Sequence, residues 1–483
     1  MRLDSLLFIS IAVVMMFACD LSEAKPLSDE HMMSEIYEQD ADELLWFDQR
    51  GVSLNGMTLI SLLDDLGVEV DIPLSIEATT LRKLADTNYT EALLTVIDRM
   101  SDLSYKELSV EQVKLLLAIK NERLAEYLDT ILPSFDEVYR LRTLIGEYKK
   151  KVNLKWPTMS QHEFRLGQSS NEVKQLRWML TVLGDLEHSE LTRYREAIYD
   201  PMVIDGIKSF QLRHGLRVNG NLDKYTVEAI NVTPLQRVEQ MQRNLWRWIA
   251  LSGLSFEKLV WINIPGYQLS LFEQGSVVLQ MKVIIGKPSS QTPLLSTHLT
   301  QLTINPTWTP PASIIKSELL PLNAKEPGYL NHKQFELRGI GMNKTQVIKL
   351  DQINSKQLPT LLSQYRLVQA PGEDNALGKM RFTIINRHSI YLHDTPAKQL
   401  FESKNRAMSH GCIRLEKPII LSKYLVETDE KARELRNALE GNETRYFSLS
   451  TPISVYITYH TSWVDNSGKL QVRPDIYNLD MEI

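Results

Sequence analysis

The sequence Ser409-His410-Gly411-Cys412-Ile413-Arg414-Leu415 and the upstream Tyr391-Leu392-His393-Asp394 carry the strongest functional signal in this chain. They combine an imidazole at His393 with a cysteine that follows a glycine in a tight turn. The thiolate is the nucleophilic form of cysteine, and an imidazole can take the thiol proton and later pass it to a leaving amine. We therefore interpret Cys412 as a nucleophile and His393 as its general base.

The residues just before Cys412 are expected to support it. Gly411 lets the backbone turn sharply, so that consecutive amides can point at the oxyanion of an acyl-transfer intermediate. We assign Ser409, His410 and Gly411 to this supporting or oxyanion role, and a purely structural role for His410 stays open. The alternative for Cys412 itself is a small, inert, buried side chain, which is common for free cysteines.

At these residues the chain resembles the L,D-transpeptidases, bacterial enzymes with a YkuD-type catalytic domain. Their pattern is a histidine, a spacer and then Ser/Thr-His-Gly-Cys, and every element of it is present. The segment 305–314 looks like the family's early substrate-groove segment, and 371–378 looks like its turn before the central strand. The tail from Tyr456 to Tyr477 is similar to the ending of the large, YcbB-like members. The resemblance runs from about Lys258 to the C-terminus.

The resemblance implies a two-step acyl transfer in the cell wall. Cys412 would attack the carbonyl of the third residue, meso-diaminopimelate, of a tetrapeptide stem, and the terminal D-alanine would leave. The side-chain amine of diaminopimelate on a second stem would then attack the thioester and give a 3→3 cross-link. The implied partners are stem peptides, glycan strands and other cell-wall synthases. The sequence has no metal-ligand cluster or nucleotide motif, so we expect neither a metal nor a cofactor.

Three further residues near the motif are candidates for the substrate groove. Trp308 and Tyr391 match groove positions of the family, with simple packing as the alternative for each. Arg414 could hold a substrate carboxylate through its planar fork, or form a structural ion pair. Asp394 suggests a Cys-His-Asp triad, but the family orients its histidine through a backbone carbonyl. We therefore predict that Asp394 is not catalytic.

Three other functions stay open. An L,D-carboxypeptidase would use the same residues with water as the acceptor, and a lipoprotein-attachment enzyme would use a protein lysine. A non-catalytic wall-binding scaffold is a different class, and the presence of both Cys412 and His393 argues against it. Acceptor choice depends on the shape of the groove.

Composition limits the remaining possibilities. The chain has 483 residues, of which 43% are apolar and 24% charged, and is long enough for about three domains. Its formal net charge of −6 gives no reason to expect a nucleic-acid partner.

The N-terminus predicts export. Arg2 precedes an apolar run from Leu6 to Phe17, which has the length of a signal-peptide core and is too short to span a bilayer. Cleavage after Ala24 would release a periplasmic protein. Cys19 offers a poor lipoprotein-processing site as the alternative, because the bulky Phe17 precedes it. A membrane contact is expected only if Cys19 is lipidated.

We predict a multidomain α+β fold with an all-β YkuD-type core. The predicted parts are a signal peptide 1–24, a helical scaffold 25–165, a three-helix peptidoglycan-binding-like module 166–232, a connector helix 233–257, and a catalytic domain 258–483 with a mixed helical capping insertion 313–370. Capping boxes at 109–112 and 134–137 indicate helix starts in the scaffold. Short runs rich in Val, Ile and aromatic residues predict the strands of the core at 259–264, 269–272, 277–285, 382–386, 390–393 and 453–459. We also expect a helix around 358–365 within the insertion.

The module resemblance depends on a short hallmark. Helices are predicted after Ser170, Asp200 and Asp223, and the segment from Phe210 to Leu216 resembles that of peptidoglycan-binding modules. Asn219-Gly220 stands where family members often have Asp-Gly, so binding of glycan by this module stays open.

Overall fold

The computed structural model describes residues 37, 44–48, 51–70, 79–103, 112–131, 136–160, 163–187, 196–251, 257–341, 344–354, 357–426, 428–465 and 467–480. The predicted signal peptide with Cys19, and the first residues of both scaffold capping boxes, lie outside these ranges. Within them, no helix is both long enough and apolar enough to cross a membrane.

The chain divides into two compact units, and the first contains Met1–Ser134 and Trp248–Gly253. Its elements are β1 Phe47–Asp48, β2 Gly51–Val52, α1 Leu54–Leu66, α2 Thr79–Leu103, α3 Gln112–Lys120 and α4 Leu124–Ile131. Helix α1 begins where the Ser53 side chain accepts a hydrogen bond from the Gly56 amide, and it ends at left-handed Gly67. The described residues of this unit are mainly helical.

The second unit contains Phe135–Arg247 and Leu254–Ile483. Its helical part consists of α5 Asp136–Lys149, α6 Asn171–Leu183, α7 Pro201–Arg213, α8 Lys224–Asn231 and α9 Pro234–Ile249, the last of these up to Arg247. Helix α5, which the sequence analysis placed in the scaffold, therefore groups with the C-terminal part of the chain.

Side-chain caps set the starts of the module helices. Ser170, Asp200 and Asp223 each accept a hydrogen bond from a backbone amide three residues on. At the start of α9, Thr233 and Gln236 exchange hydrogen bonds between side chain and backbone amide, which is a capping box. The helix starts that the sequence predicts in this region are confirmed.

A β-barrel follows the helical part. Its strands are β3 Lys258–Asn263, β4 Gln268–Glu273, β5 Ser276–Gly286, β6 Leu295–Ile304, β10 Met380–Ile384, β11 Leu392–His393, β12 Ala407–Ser409, β13 Ile413–Leu415 and β14 Arg445–Thr458. The strands are hydrogen-bonded in the order β12-β5-β13-β11-β10-β6-β14-β3-β4, and β4 also pairs with β5. That last pairing closes all of these strands except β12 into a ring, so edge strands are largely removed.

The barrel interior is an apolar core. Each strand contributes alternate side chains to it, and helices α14 Pro418–Leu425 and α15 Asp429–Glu440 cover part of it through Leu421, Leu425 and Leu435. A short hairpin, β15 Ser462–Val464 and β16 Leu470–Val472, follows the barrel. The predicted α+β class with a β-rich catalytic core is confirmed.

The insertion between β6 and β10 forms a small subdomain of its own. Its elements are α10 Ala312–Ile314, a π-helical turn Ile315–Leu319, α11 Leu320–Lys325, α12 Tyr329–His332, β7 Phe335–Gly339, β8 Val347–Lys349, α13 Leu358–Leu361 and β9 Tyr365–Gln369. The three strands pair antiparallel in the order β8-β7-β9, over a separate apolar cluster that includes Leu319, Phe335 and Leu367.

Two local predictions differ from the structure. The helix expected around 358–365 ends at Leu361, and Tyr365 already begins strand β9, because Tyr365 pairs with Gly339 and packs into the insertion core. Strand β6 was not predicted. Its threonine and glutamine residues hide the apolar alternation that identifies a strand.

Candidate active site

Two neighbouring strands place His393 and Arg414 on one face, and the second of them, β13, begins directly after Cys412. Strands β11 and β13 run parallel, with Leu392 beside Ile413 and His393 beside Arg414. Leu392 and Ile413 are fully buried in the barrel core. Because successive side chains of a strand point to opposite faces, His393 and Arg414 point away from that core. Cys412 immediately precedes β13, and its partly buried side chain also packs against the barrel core.

His393 is held as a neutral, oriented base. Its side chain is buried, at 5% exposure, and Nδ1 is hydrogen-bonded to the backbone carbonyl of Asp394. A carbonyl only accepts, so Nδ1 carries the hydrogen and Nε2 keeps its lone pair. Burial, assisted by the positive charge of Arg414, lowers the pKa of His393 to about 3.

The carboxylate of Asp394 is used elsewhere. It accepts hydrogen bonds from the backbone amides of Lys379 and Thr395, and it forms an ion pair with Lys398 at 2.5 Å. The backbone carbonyl rather than the carboxylate therefore orients His393, which is the arrangement that the family resemblance implies.

A glycine makes room for that arrangement. Gly378 has φ +58°, and a Cβ added there would lie 2.5 Å from Cγ of Asp394. Both the backbone conformation and the close approach thus require glycine. This residue ends the 371–378 segment on which the sequence analysis based part of the resemblance.

Two hydrogen bonds of the Ser409 side chain stabilise the turn before Cys412. The Ser409 hydroxyl donates to the carbonyl of Cys412 at 2.6 Å and accepts from the amide of Gly411 at 3.1 Å. Gly411 has φ +111°, which other residues rarely adopt. Ser409 and Gly411 therefore shape the turn, and the Ser409 hydroxyl is occupied within it.

Residues that the sequence analysis did not select support the turn from behind. The Thr292 hydroxyl donates to the Gly411 carbonyl at 2.7 Å and accepts from the amide of Gly286. The Tyr477 hydroxyl donates to the Gly286 carbonyl and accepts from the Thr292 amide. Tyr477 lies in the tail that resembles the family's ending, whereas no sequence signal indicated Thr292.

The thiol of Cys412 is partly buried and protonated in its resting form. Burial raises its pKa, and hydrogen bonds with the backbone and side chain of Tyr391 oppose that shift. Sγ lies 3.9 Å from the carbonyl oxygen of Ser389, a residue with φ +55°. A thiol in this state needs a base before it can attack.

Tyr391 connects the groove residues to the nucleophile. Its hydroxyl interacts with the side chains of Trp308 and Cys412, and its ring lies edge-on to His393 with centroids 5.8 Å apart. The guanidinium of Arg381 lies 5.8 Å from the centroid of the same ring. Burial raises the pKa of Tyr391.

Trp308 joins the insertion to the site. Its backbone exchanges two hydrogen bonds with Gln369, at 3.0 and 2.7 Å, and its ring packs against Phe335. The structure thus brings Trp308 and Tyr391 together beside Cys412, as their proposed groove positions require.

Arg414 has unused hydrogen-bonding capacity. Burial lowers its pKa, and electrostatic interactions with the Cys412 and Glu318 side chains oppose that shift. Its buried Nε has no hydrogen-bond partner among the residues that the structure describes. An arginine in this condition can receive a carboxylate.

The side chain of His410 contacts the insertion. Its Nε2 lies 2.8 Å from Oε1 of Glu318, which the insertion supplies. Among the residues that the structure describes, His410 thus contacts the carboxylate of Glu318. The sequence analysis did not select Glu318.

Comparisons with known proteins agree with the sequence patterns. Residues 257–438 match the family model of the L,D-transpeptidase catalytic domain, YkuD, and residues 169–230 match a "Putative peptidoglycan binding domain". A "Putative L,D-transpeptidase" from Haemophilus influenzae is 28% identical over 304 residues, which cover 62% of this chain and 59% of that protein. The chain thus spans less than two thirds of the length of this relative. The predicted family resemblance is confirmed.

Two solved structures are also similar. An L,D-transpeptidase from Stackebrandtia nassauensis is 13% identical, covers 62% of this chain and 96% of its own, and has a TM-score of 0.21. L,D-transpeptidase 1 from Mycobacterium tuberculosis is 14% identical. The match covers 41% of this chain and 60% of that one, with a TM-score of 0.15.

Proposed function

Because this chain carries a YkuD-type L,D-transpeptidase catalytic domain and a peptidoglycan-binding domain, we propose that it cross-links peptidoglycan stems through a thioester on Cys412. The proposed products are 3→3 links between diaminopimelate residues and free D-alanine. The proposed location is the periplasm, which rests on the apolar run between Leu6 and Phe17.

The observation that supports the mechanism best is the state of His393. Its Nδ1 is fixed by the Asp394 carbonyl and its pKa is about 3, so at neutral pH its Nε2 lone pair can accept a proton. The thiol of Cys412 has a raised pKa and interacts with Tyr391, whose ring lies edge-on to His393. A neutral base beside a protonated thiol is the pair that acylation needs.

In the first step, Sγ of Cys412 bonds to the carbonyl carbon of diaminopimelate, and the C–N bond to D-alanine breaks. The thiol proton moves to His393 and then to the leaving amine. We assign transient oxyanion stabilisation to the amides of the turn that Ser409 and Gly411 shape. Peptide and thiol are thereby converted into thioester and D-alanine.

In the second step, the side-chain amine of a second diaminopimelate attacks the thioester carbonyl. A new C–N bond forms, the C–S bond breaks, and the amine proton passes through His393 to the leaving sulfur. His393 serves as a base in each attack and as an acid in each departure. The enzyme returns to its starting protonation state.

Charged and aromatic side chains around Cys412 fit a peptide substrate. The partnerless Nε of Arg414 suits a substrate carboxylate. Trp308 and Tyr391 are proposed walls of the groove, because they contact each other and Tyr391 contacts Cys412.

Intact-mass spectrometry tests the thioester. After mixing with a tetrapeptide donor, the wild-type protein is expected to gain the mass of the stem without its D-alanine, once per chain. Cys412→Ala is expected to gain nothing, and Ser450→Ala, an exposed substitution on β14, serves as the control. A carbapenem is expected to acylate the same residue. An adduct that persists in Cys412→Ala would refute the assignment.

A further inference from the structure

Glu318 is presented to the site by an unusual helical turn. It lies in the π-helical turn Ile315–Leu319, immediately before α11. Pro321 sits at the start of α11 and has no amide hydrogen, so it cannot donate to a carbonyl of the preceding turn. The regular hydrogen-bond ladder is thereby interrupted at this point. Such π turns are frequent at functional sites.

The Glu318 carboxylate is held by one oxygen. Oε1 lies 2.8 Å from Nε2 of His410, and the side chains of Glu318 and His410 are 44% and 31% exposed. His410 is two residues before Cys412, so this contact attaches the carboxylate to the nucleophile turn. Because the side chain is partly exposed, an incoming molecule can reach it.

Around Cys412, positive side chains come from the barrel and a negative side chain comes from the insertion. Arg414 interacts electrostatically with both Cys412 and Glu318, so the carboxylate and the thiol are both close to this guanidinium. Arg381 and Arg414 both flank His393 in the strand register. The barrel face thus supplies positive charge, and the insertion supplies a negative group at its border.

We propose that Glu318 binds the ammonium group of the acceptor stem and thereby favours an amine over water in the second step. This inference rests on the proposed function. The acceptor side chain arrives protonated at neutral pH, and a fixed carboxylate concentrates that cation beside the thioester. The ammonium then loses one proton to solvent, and the resulting amine attacks as described above. Water has no charge, so Glu318 attracts it less strongly than it attracts the ammonium group.

The charges of Arg414 and Glu318 suit two different substrates. Arg414 suits the carboxylate of the donor stem, whereas Glu318 suits the cation of the acceptor stem. Acceptor choice is then a difference in affinity between an ammonium and water at one carboxylate. Glu318 is therefore a specificity-determining residue for the second step.

The test compares Glu318→Gln with the wild type and with Glu326→Gln, an exposed glutamate on the same insertion. Glutamine keeps the size of the side chain and can still bond His410. We expect the ratio of cross-linked dimer to hydrolysed tripeptide to fall about tenfold in Glu318→Gln, as for loss of one charge-assisted contact. Glu326→Gln should keep the wild-type ratio.

Two further measurements isolate the second step. The rate of Cys412 acylation by the donor, followed by intact mass, should stay within about twofold in Glu318→Gln, which also reports a folded site. With hydroxylamine, an uncharged acceptor near pH 8, Glu318→Gln and wild type should give the same yield.

Each alternative outcome contradicts the inference. An unchanged dimer-to-tripeptide ratio in Glu318→Gln, or an equal loss with hydroxylamine, would show that the charge of Glu318 does not select the acceptor. A parallel loss of donor acylation would place Glu318 in the first step. Absence of any thioester in the wild type would instead refute the proposed function.

Discussion

At the residue scale, the chemistry depends on how the fold sets two proton affinities. Burial and Arg414 keep His393 neutral, and burial keeps Cys412 protonated. The pair is therefore a neutral imidazole and a thiol, not an imidazolium and a thiolate. Proton transfer is therefore expected to accompany attack on the substrate.

This arrangement predicts a flat pH profile on the acid side. His393 loses its basic form only below its folded pKa of about 3, whereas an unperturbed imidazole, with a pKa of about 6.5, would be mostly protonated at pH 5. We expect the acylation rate to vary less than about threefold between pH 5 and pH 8. A fall of about thirtyfold towards pH 5, with a midpoint near 6.5, would contradict this state of His393.

Gly378 provides a second test at this scale. A Cβ there would displace Asp394, whose carbonyl orients His393, so Gly378→Ala should lower the acylation rate by at least about tenfold. Gly275→Ala is the matched control, because Gly275 also has a positive φ, +75°, but has open space at its Cβ position. Both variants should share the backbone strain. Equal acylation rates in the two variants would show that Gly378 is not needed to orient His393.

Sequence reasoning at this scale found the residues that share one motif. Cys412, His393 and the turn at 409–411 were selected from local chemistry, and the orientation of His393 by a backbone carbonyl followed from the family resemblance. Thr292 and Glu318 were not selected, because each comes from a distant segment and acts through a contact that only folding creates.

At the element scale, the insertion is a subdomain whose ends meet. Trp308, just before it, and Gln369, at the end of β9, exchange backbone hydrogen bonds. Its apolar cluster is separate from the barrel core. A short linker can therefore replace residues 313–368 without separating the strands that carry the site.

Replacing the insertion tests its role as a lid. Water competes with the acceptor amine for the thioester, and a cover over the groove would exclude it. We expect the linker variant to shift products from dimer to tripeptide by more than Glu318→Gln does, because it loses both the cover and the carboxylate. A folded linker variant with the wild-type product ratio would show that the insertion does not exclude water.

The strands show what a single sequence can predict. The runs that form β3, β4 and β5 were located to within about one residue, because their apolar residues are bounded by turn signals. Strand β14 is longer than predicted: it begins at Arg445 rather than Ile453, since its first part pairs with β6 through exposed and polar residues. Pairing of this kind depends on the partner strand, so the sequence of β14 alone does not predict it.

At the scale of the whole C-terminal unit, the peptidoglycan-binding-like module packs directly on the region after the barrel. The side chain of Arg213 donates to the carbonyl of Leu470, and Arg473 donates to the carbonyl of Arg213. Gly215 allows the approach, because a Cβ there would lie 2.8 Å from Cδ of Arg473. The module therefore has a fixed orientation to the hairpin, whereas the sequence suggested only a neighbouring domain.

This unit is expected to lose stability in mild acid. Burial holds the pKa values of His214, His393 and His460 below the ordinary 6.5, so each histidine binds a proton near pH 6 only when the chain unfolds. Their stabilising contribution is complete above pH 6.5 and decreases as the pH falls towards the folded pKa values. Each contributes a slope of up to about 1.4 kcal/mol per pH unit.

Denaturant unfolding at pH 7 and at pH 5.5 measures this effect. We expect the free energy of unfolding to be lower at pH 5.5, and His388→Gln, which changes an exposed histidine, should leave the difference unaltered. Equal stability at both pH values would contradict the neutral state of the buried histidines.

The most direct test of the central claim is the product analysis of peptidoglycan sacculi rich in tetrapeptide stems. Mass spectrometry of the muropeptides is expected to show 3→3 dimers and free D-alanine after incubation with the wild-type protein, and neither after incubation with Cys412→Ala. Dimers that persist with Cys412→Ala would contradict the cysteine mechanism. Tripeptides without dimers from the wild-type protein would identify a carboxypeptidase and contradict the proposed cross-linking.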